Sequence, residues 1–165
     1  VGLLGQLTLP TGQYDSGQIL NMGANRVALR VGLPTAYYIG DSFLDPRLTT
    51  LELLPSITFY GDNPDAPGSA STTSQDLVFM LEGHLTHNLN RAMWLSLDAL
   101  YTTGGETETD GVSNDDSPVS FAMGVTANLN FSTTASLKVS YGETIWASGD
   151  GPDGEAFRAV FSVSF

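Results

Sequence analysis

Cysteine is missing from all 165 residues. Its absence excludes a disulfide scaffold and a thiolate metal centre. Bases are scarce: six Lys and Arg stand against eighteen Asp and Glu, for a formal net charge of -12. Non-specific nucleic-acid binding takes its affinity from phosphate neutralisation, so no nucleic-acid partner is expected. Charge of either sign covers only 15% of the chain, against about 25% in typical soluble domains. No run of eighteen apolar residues occurs, so no membrane-spanning helix is expected. That leaves a β-barrel untouched, because barrel strands carry only about ten alternating residues each. No signal peptide is visible, and Val1 already lies in a strand-like run, so the natural chain is expected to begin upstream.

What the chain does have is alternation. Val119, Phe121, Met123, Val125, Ala127 and Leu129 share one parity, and Ser120, Ala122, Gly124, Thr126 and Asn128 the other. After a short turn, Ala135, Leu137, Val139 and Tyr141 alternate with Ser136, Lys138 and Ser140. A period of two, repeated around a tight turn, predicts an antiparallel hairpin.

The same pattern predicts six further strands, within Val1 to Leu9, Asn25 to Ile39, Thr50 to Tyr60, Ser74 to His87, Ala92 to Tyr101 and Ala156 to Phe165. Leu4 and Leu54 break the alternation. Pro34 either ends its strand or bends it, and Pro55 implies a bulge or a weakened ladder, because proline has no N–H to donate. A helical turn near Gln18 to Met22 has no long pattern behind it.

Connections near residues 10 to 24, 61 to 73, 102 to 118 and 143 to 155 are long and hold most of the acids. Those near 88 to 91 and 129 to 132 are very short. Long outer loops and short periplasmic turns mark transmembrane barrels. Aromatics near strand ends, at Tyr37, Tyr38, Phe59, Tyr60, Tyr101, Phe121, Tyr141, Phe157 and Phe165, fit interfacial girdles. A soluble β-sandwich binding module also accommodates this pattern, its apolar faces meeting each other instead of lipid.

Three segments carry a resemblance: LPTGQYD from Leu9, MGANRVALRVGLPTAY from Met22, and LEGHLTHNLNRAMWLSLDALYTTGGET from Leu81. With SLKVSYG from Ser136 and the terminal FSVSF, they resemble, in order, the outer-membrane proteins of the phenol-degradation MetA-pathway family. Val27 stands where a Trp is common in that family. The resemblance implies an all-β, antiparallel, up-and-down transmembrane β-barrel in the outer membrane of a Gram-negative bacterium. The resemblance further implies a channel or transporter for small, aromatic or anionic solutes, and no convincing catalytic set is present to make an enzyme the expectation. Family members are longer. Residues 1–165 are therefore expected to form one barrel domain, N-terminally incomplete: eight strands of a barrel of about twelve, or else a natural short form. A closed barrel with a structural or adhesive role is the alternative. The implied partners are outer-membrane lipid, lipopolysaccharide and the barrel assembly machinery, which would read Phe161, Val163 and Phe165 as its signal. No cofactor is implied.

In a barrel, the polar parity would line the lumen. The charged and aromatic candidates there are Arg26, Arg30, Glu52, Glu82, His84, Trp94, Asp98, Lys138 and Arg158. They either neutralise one another, as buried charges must, or form a constriction that attracts an organic anion. Ser96, His84 and Asp98 can be drawn as a triad, but geometry, not presence, defines one. Asp150, Asp153 and Glu155 are candidate oxygen ligands for calcium, set against a plain reading as solvated loop acids.

Overall fold

The computed structural model describes residues 1–18, 20–68, 71–148 and 151–164. Its strands are β1 (Leu4–Thr8), β2 (Ala28–Gly32), β3 (Thr35–Ile39), β4 (Thr49–Tyr60), β5 (Thr73–Gln75), β6 (Val78–Asn88), β7 (Met93–Gly104), β8 (Thr107–Thr109), β9 (Val112–Ser113), β10 (Val119–Asn130), β11 (Ala135–Ser148) and β12 (Glu155–Val163). No helix occurs among the described residues, which take in Gln18 and 20–22 of the candidate helical turn. The main sheet runs β1-β2-β4-β6-β7-β10-β11-β12, all antiparallel, with β3 also paired to β4. Each strand of this path pairs with the next one of the path along the chain, as in an up-and-down meander, with β5, β8 and β9 lying in the connections. No ladder joins β1 to β12 among the described residues.

β2 and β3 are one strand interrupted at Leu33 and Pro34. Both pair with β4 in a single unbroken register, Gly32 opposite Ser56 and Thr35 opposite Leu53. Between them Leu33 donates its N–H to the Pro55 carbonyl at 3.0 Å. Antiparallel partners of this kind normally exchange two bonds, but Pro55 has no N–H to return. The Leu33 carbonyl instead accepts the Thr35 hydroxyl at 3.3 Å. The two prolines thus weaken the ladder without shifting it, so no bulge forms at Pro55.

Three boundaries depart from the sequence pattern. Ser74 and Gln75 leave the main sheet for β5, which joins β8 and β9 in a second, three-stranded sheet. The long connection after β7 therefore has structure of its own. β11 runs on to Ser148 rather than ending before a loop at Glu143, because an extra residue, Ile145, is absorbed as a bulge opposite Phe121 and Ala122. β7 reaches Gly104, whose φ of 86° turns the chain out of the sheet. A Cβ there would lie 2.5 Å from the Leu77 carbonyl, so the position needs glycine.

The registers sort the side chains. Leu51, Leu53, Leu85, Leu97, Val125, Val139 and Tyr141 share one face with Phe59, Phe121 and Phe157. Many large apolar residues of this face are exposed, and Ala66 is the one buried apolar residue among the described residues. A sandwich would cover that face with a second sheet. The small sheet is built from loop residues and leaves it bare, so a sandwich core is not formed. Tyr38 and Tyr60, expected in the girdle, fall on the polar face opposite Thr50 and Ala28. Leu4 and Leu54 also point to the polar face, opposite Gly32 and Glu82, which accounts for both breaks in the alternation.

All long connections leave the same end of the sheet, and three of them knit together there. Asn63 donates to the Tyr14 hydroxyl at 2.8 Å, and Tyr14 donates to the Asp65 carbonyl at 2.6 Å. Asn25 donates to the Asn63 side chain at 2.8 Å. The Asp110 carboxylate accepts the N–H groups of Ser71 and Thr72 and the Ser71 hydroxyl. These donors hold the Asp110 carboxyl below the ordinary carboxylate range, the Ser71 hydroxyl most strongly.

Candidate functional site

The polar face of the sheet carries the candidate site, and its geometry follows from two cross-strand rows. In the first, Thr50, Thr86, Ser96, Thr126, Ser140 and Arg158 are successive direct partners from β4 to β12. In the next, Glu52, His84, Asp98, Gly124, Gly142 and Ala156 occupy the same strands. One row is a belt of hydroxyls ending in a guanidinium. The other begins with ionisable groups and ends in side chains of one atom or none.

Asp98 is the hub between the rows. Its Oδ1 lies 2.7 Å from His84 Nδ1 and accepts the Ser96 hydroxyl at 2.8 Å. Its Oδ2 accepts the Thr126 hydroxyl at 2.7 Å. Thr126 and Ser140 hydroxyls lie 3.0 Å apart, and Thr86 donates to Ser96 at 3.2 Å. A hydrolytic triad needs the serine bonded to the histidine. Here Ser96 and His84 both bond the aspartate, so the histidine does not activate the serine.

Nearer the loops, Arg30 is ion-paired with Glu82 and also donates to Ser56 at 3.0 Å. Arg26 lies over the Tyr60 ring, 4.6 Å from its centroid, and donates to Gln75 of the small sheet. Its partial burial pulls the guanidinium pKa down, with Tyr60 acting in the opposite direction. The structure therefore pairs Arg30 with Glu82 and His84 with Asp98. Glu52, Lys138 and Arg158 are exposed on the polar face and form no ion pair among the described residues. Trp94 is half-buried beside Asn88 and Asn128, and Asn128 faces Lys138 across the next ladder.

The residues the sequence pattern did not single out are Thr50, Thr86, Ser96 as a hydroxyl donor, Ser140, Gly124 and Gly142. Their signal lies in the turns: once a tight turn fixes the sum of paired residue numbers, the rows follow by arithmetic.

The loop acids mostly serve the loops themselves. Asp116 accepts the N–H and hydroxyl of Thr107, at 2.7 and 2.6 Å, and these donors lower its pKa, the hydroxyl foremost. Glu106 accepts the Ser113 hydroxyl. Asp150 and Phe165 lie outside the described residues. Asp153 and Glu155 join no cluster of three potential ligands among the described residues. Glu155 and Glu143 instead flank the Tyr141 hydroxyl, at 3.0 and 2.9 Å, on the apolar face. Phe161 and Val163 are also on that face, Phe161 beside Phe131 with ring centroids 6.4 Å apart.

The family model described as "Putative MetA-pathway of phenol degradation" matches residues 1–157. No curated protein matches the chain. An outer-membrane channel from Pseudomonas putida F1, known from its crystal structure, superposes with a TM-score of 0.78 at 26% identity. The match covers 96% of this chain and 57% of the channel, so the chain spans little more than half the channel's length.

Proposed function

The chain belongs to the "Putative MetA-pathway of phenol degradation" family, and on that premise we propose that it forms the wall of an outer-membrane channel in a Gram-negative bacterium. The apolar face meets lipid, and the polar face lines a path for small solutes. The likeness to the Pseudomonas channel supports this reading. So does a sheet whose exposed apolar face has no protein cover among the described residues. The channel is a conduit and carries out no chemistry on its solute. Loops and turns at the two sheet ends meet lipopolysaccharide and the periplasm, and the last strand is presented to the assembly machinery.

The charge balance of the polar face favours anionic solutes, and one observation carries that finer reading. Glu82 is occupied by Arg30, and Asp98 by three donors. Arg26, Lys138 and Arg158 then remain against Glu52 and Asp98, because hydroxyl donors hold the Asp98 carboxylate without cancelling its charge. In a narrow polar path such an excess raises the local concentration of the opposite charge. The test is the reversal potential of the full-length protein in planar bilayers under a potassium chloride gradient. Arg26→Gln with Lys138→Gln should move it toward cation preference. An unchanged potential refutes the anion reading, and no conductance at all refutes the channel.

A further inference from the structure

The polar face holds a groove of about 610 Å³, and from its lining we propose that it is a binding subsite for a small planar carboxylate. This proposal rests on the channel reading and locates one solute station within it.

The shape comes from the floor. Gly124 and Gly142 are direct partners on β10 and β11, and Ala156 continues the row on β12. Three adjacent strands thus present almost bare backbone. A Cβ at Gly124 would lie 2.8 Å from the Tyr141 carbonyl, so the flatness is required by how closely these two strands approach. A flat, weakly polar shelf fits the face of a planar, conjugated molecule and leaves gaps under a puckered one.

The charge comes from the sides. Arg158 lies in the hydroxyl row and lines the groove on β12, with no carboxylate in salt-bridge range among the described residues. His84 lines the opposite side, its Nδ1 held by Asp98, so that Nε2 is the free nitrogen. The carboxylates of the lining are largely committed. Asp98 accepts three donors and Glu82 is held by Arg30, while Glu143 and Glu155 belong to the other face and flank Tyr141. Asp153 lies in the loop at the rim. A carboxylate therefore finds a charged fork at Arg158 and a hydroxyl donor at Ser140, while its ring lies over the glycines. Guanidinium groups bind carboxylates through two parallel bonds.

The test is calorimetric titration of benzoate into the detergent-solubilised full-length protein, with cyclohexanecarboxylate as the non-planar acid of equal charge. Saturable benzoate binding is expected, with cyclohexanecarboxylate about tenfold weaker. Arg158→Gln and Ala156→Leu should each weaken benzoate about tenfold, the first by removing the charged fork and the second by placing bulk on the shelf. Heat-modifiable gel mobility confirms that each variant is folded. No saturable benzoate heat, or wild-type affinity in both folded variants, overturns the subsite. Equal binding of the two acids overturns its planarity. Chloride conductance without benzoate binding defeats this proposal and leaves the channel standing. Benzoate binding without conductance supports the subsite and defeats the channel.

Discussion

Replacing Leu97 with Arg separates a lipid-facing wall from a sheet that faces water. Leu97 sits near the middle of β7, between Leu85 on β6 and Val125 on β10, and is 54% exposed. If that exposure is to water, arginine at this site changes stability by no more than about 0.5 kcal/mol. If it is to the hydrocarbon core, an arginine near the bilayer midplane costs about 2–4 kcal/mol. At 1.4 kcal/mol per tenfold, that is a fall of roughly 30- to 700-fold in the folded-to-unfolded ratio. The matched control is Ala36→Arg, on the polar face directly opposite Glu52. There the new charge meets an opposite one, and cross-strand pairs of that kind are worth about 0.2–1 kcal/mol. The assay is reversible urea unfolding of the full-length protein in lipid vesicles, followed by tryptophan fluorescence. A cost below about 1 kcal/mol for Leu97→Arg, or an equal cost for Ala36→Arg, would refute the assignment of the two faces.

Asp98→Asn should destabilise the protein by about 1–3 kcal/mol, because one amide oxygen cannot accept from all three donors and the amide N–H groups oppose them. A urea midpoint within error of wild type would show that the hub is not structural. Asp110→Asn should release Ser71 and Thr72 and speed their amide exchange at neutral pH. The Asp110 carboxyl is depressed in the folded loops, so its contribution is fully present above the ordinary value of 3.8 and is lost as pH falls through the lower folded value. The difference in protection between variant and wild type should therefore vanish in strong acid. A pH-independent difference would contradict the carboxylate clasp.

Much of the wall is legible in the sequence because a barrel strand obeys one simple rule. Residue parity fixes the face, and the main eight-strand path needs nothing else. Ile145 shows where parity fails. A bulge resets the alternation, so Trp146 is paired with Phe121 while the pattern after Tyr141 resembles a loop. The loops fail for a different reason. β5 pairs with β8 across separate connections, β9 pairs with β8 within one, and all three are too short to show a period. Among the site residues, Arg30, Glu82, His84 and Asp98 announce themselves as charges on a polar parity. The His84–Asp98 partnership follows from the tight turn between β6 and β7, but that of Arg30 does not, because Arg30 reaches Glu82 diagonally rather than across its own ladder. Gly124 and Gly142 carry no chemistry of their own and become meaningful only when the register sets them side by side.

The mended break between β2 and β3 also bears on how the wall finds its alignment. Alternation forbids a slip of one residue, because every side chain would change face, but it permits a slip of two. Proline removes that freedom. With Pro55 opposite Leu33, the orphaned carbonyl has a hydroxyl two residues ahead, on Thr35. A slip that set Pro55 opposite Val31 would place Leu33 two ahead, and the opposite slip would place Tyr37 there. Neither reaches back with an aliphatic hydroxyl, and an unpaired carbonyl in hydrocarbon costs several kcal/mol. The prolines and Thr35 together act as a key cut for one lock, fixing alignment where the hydrophobic code is silent.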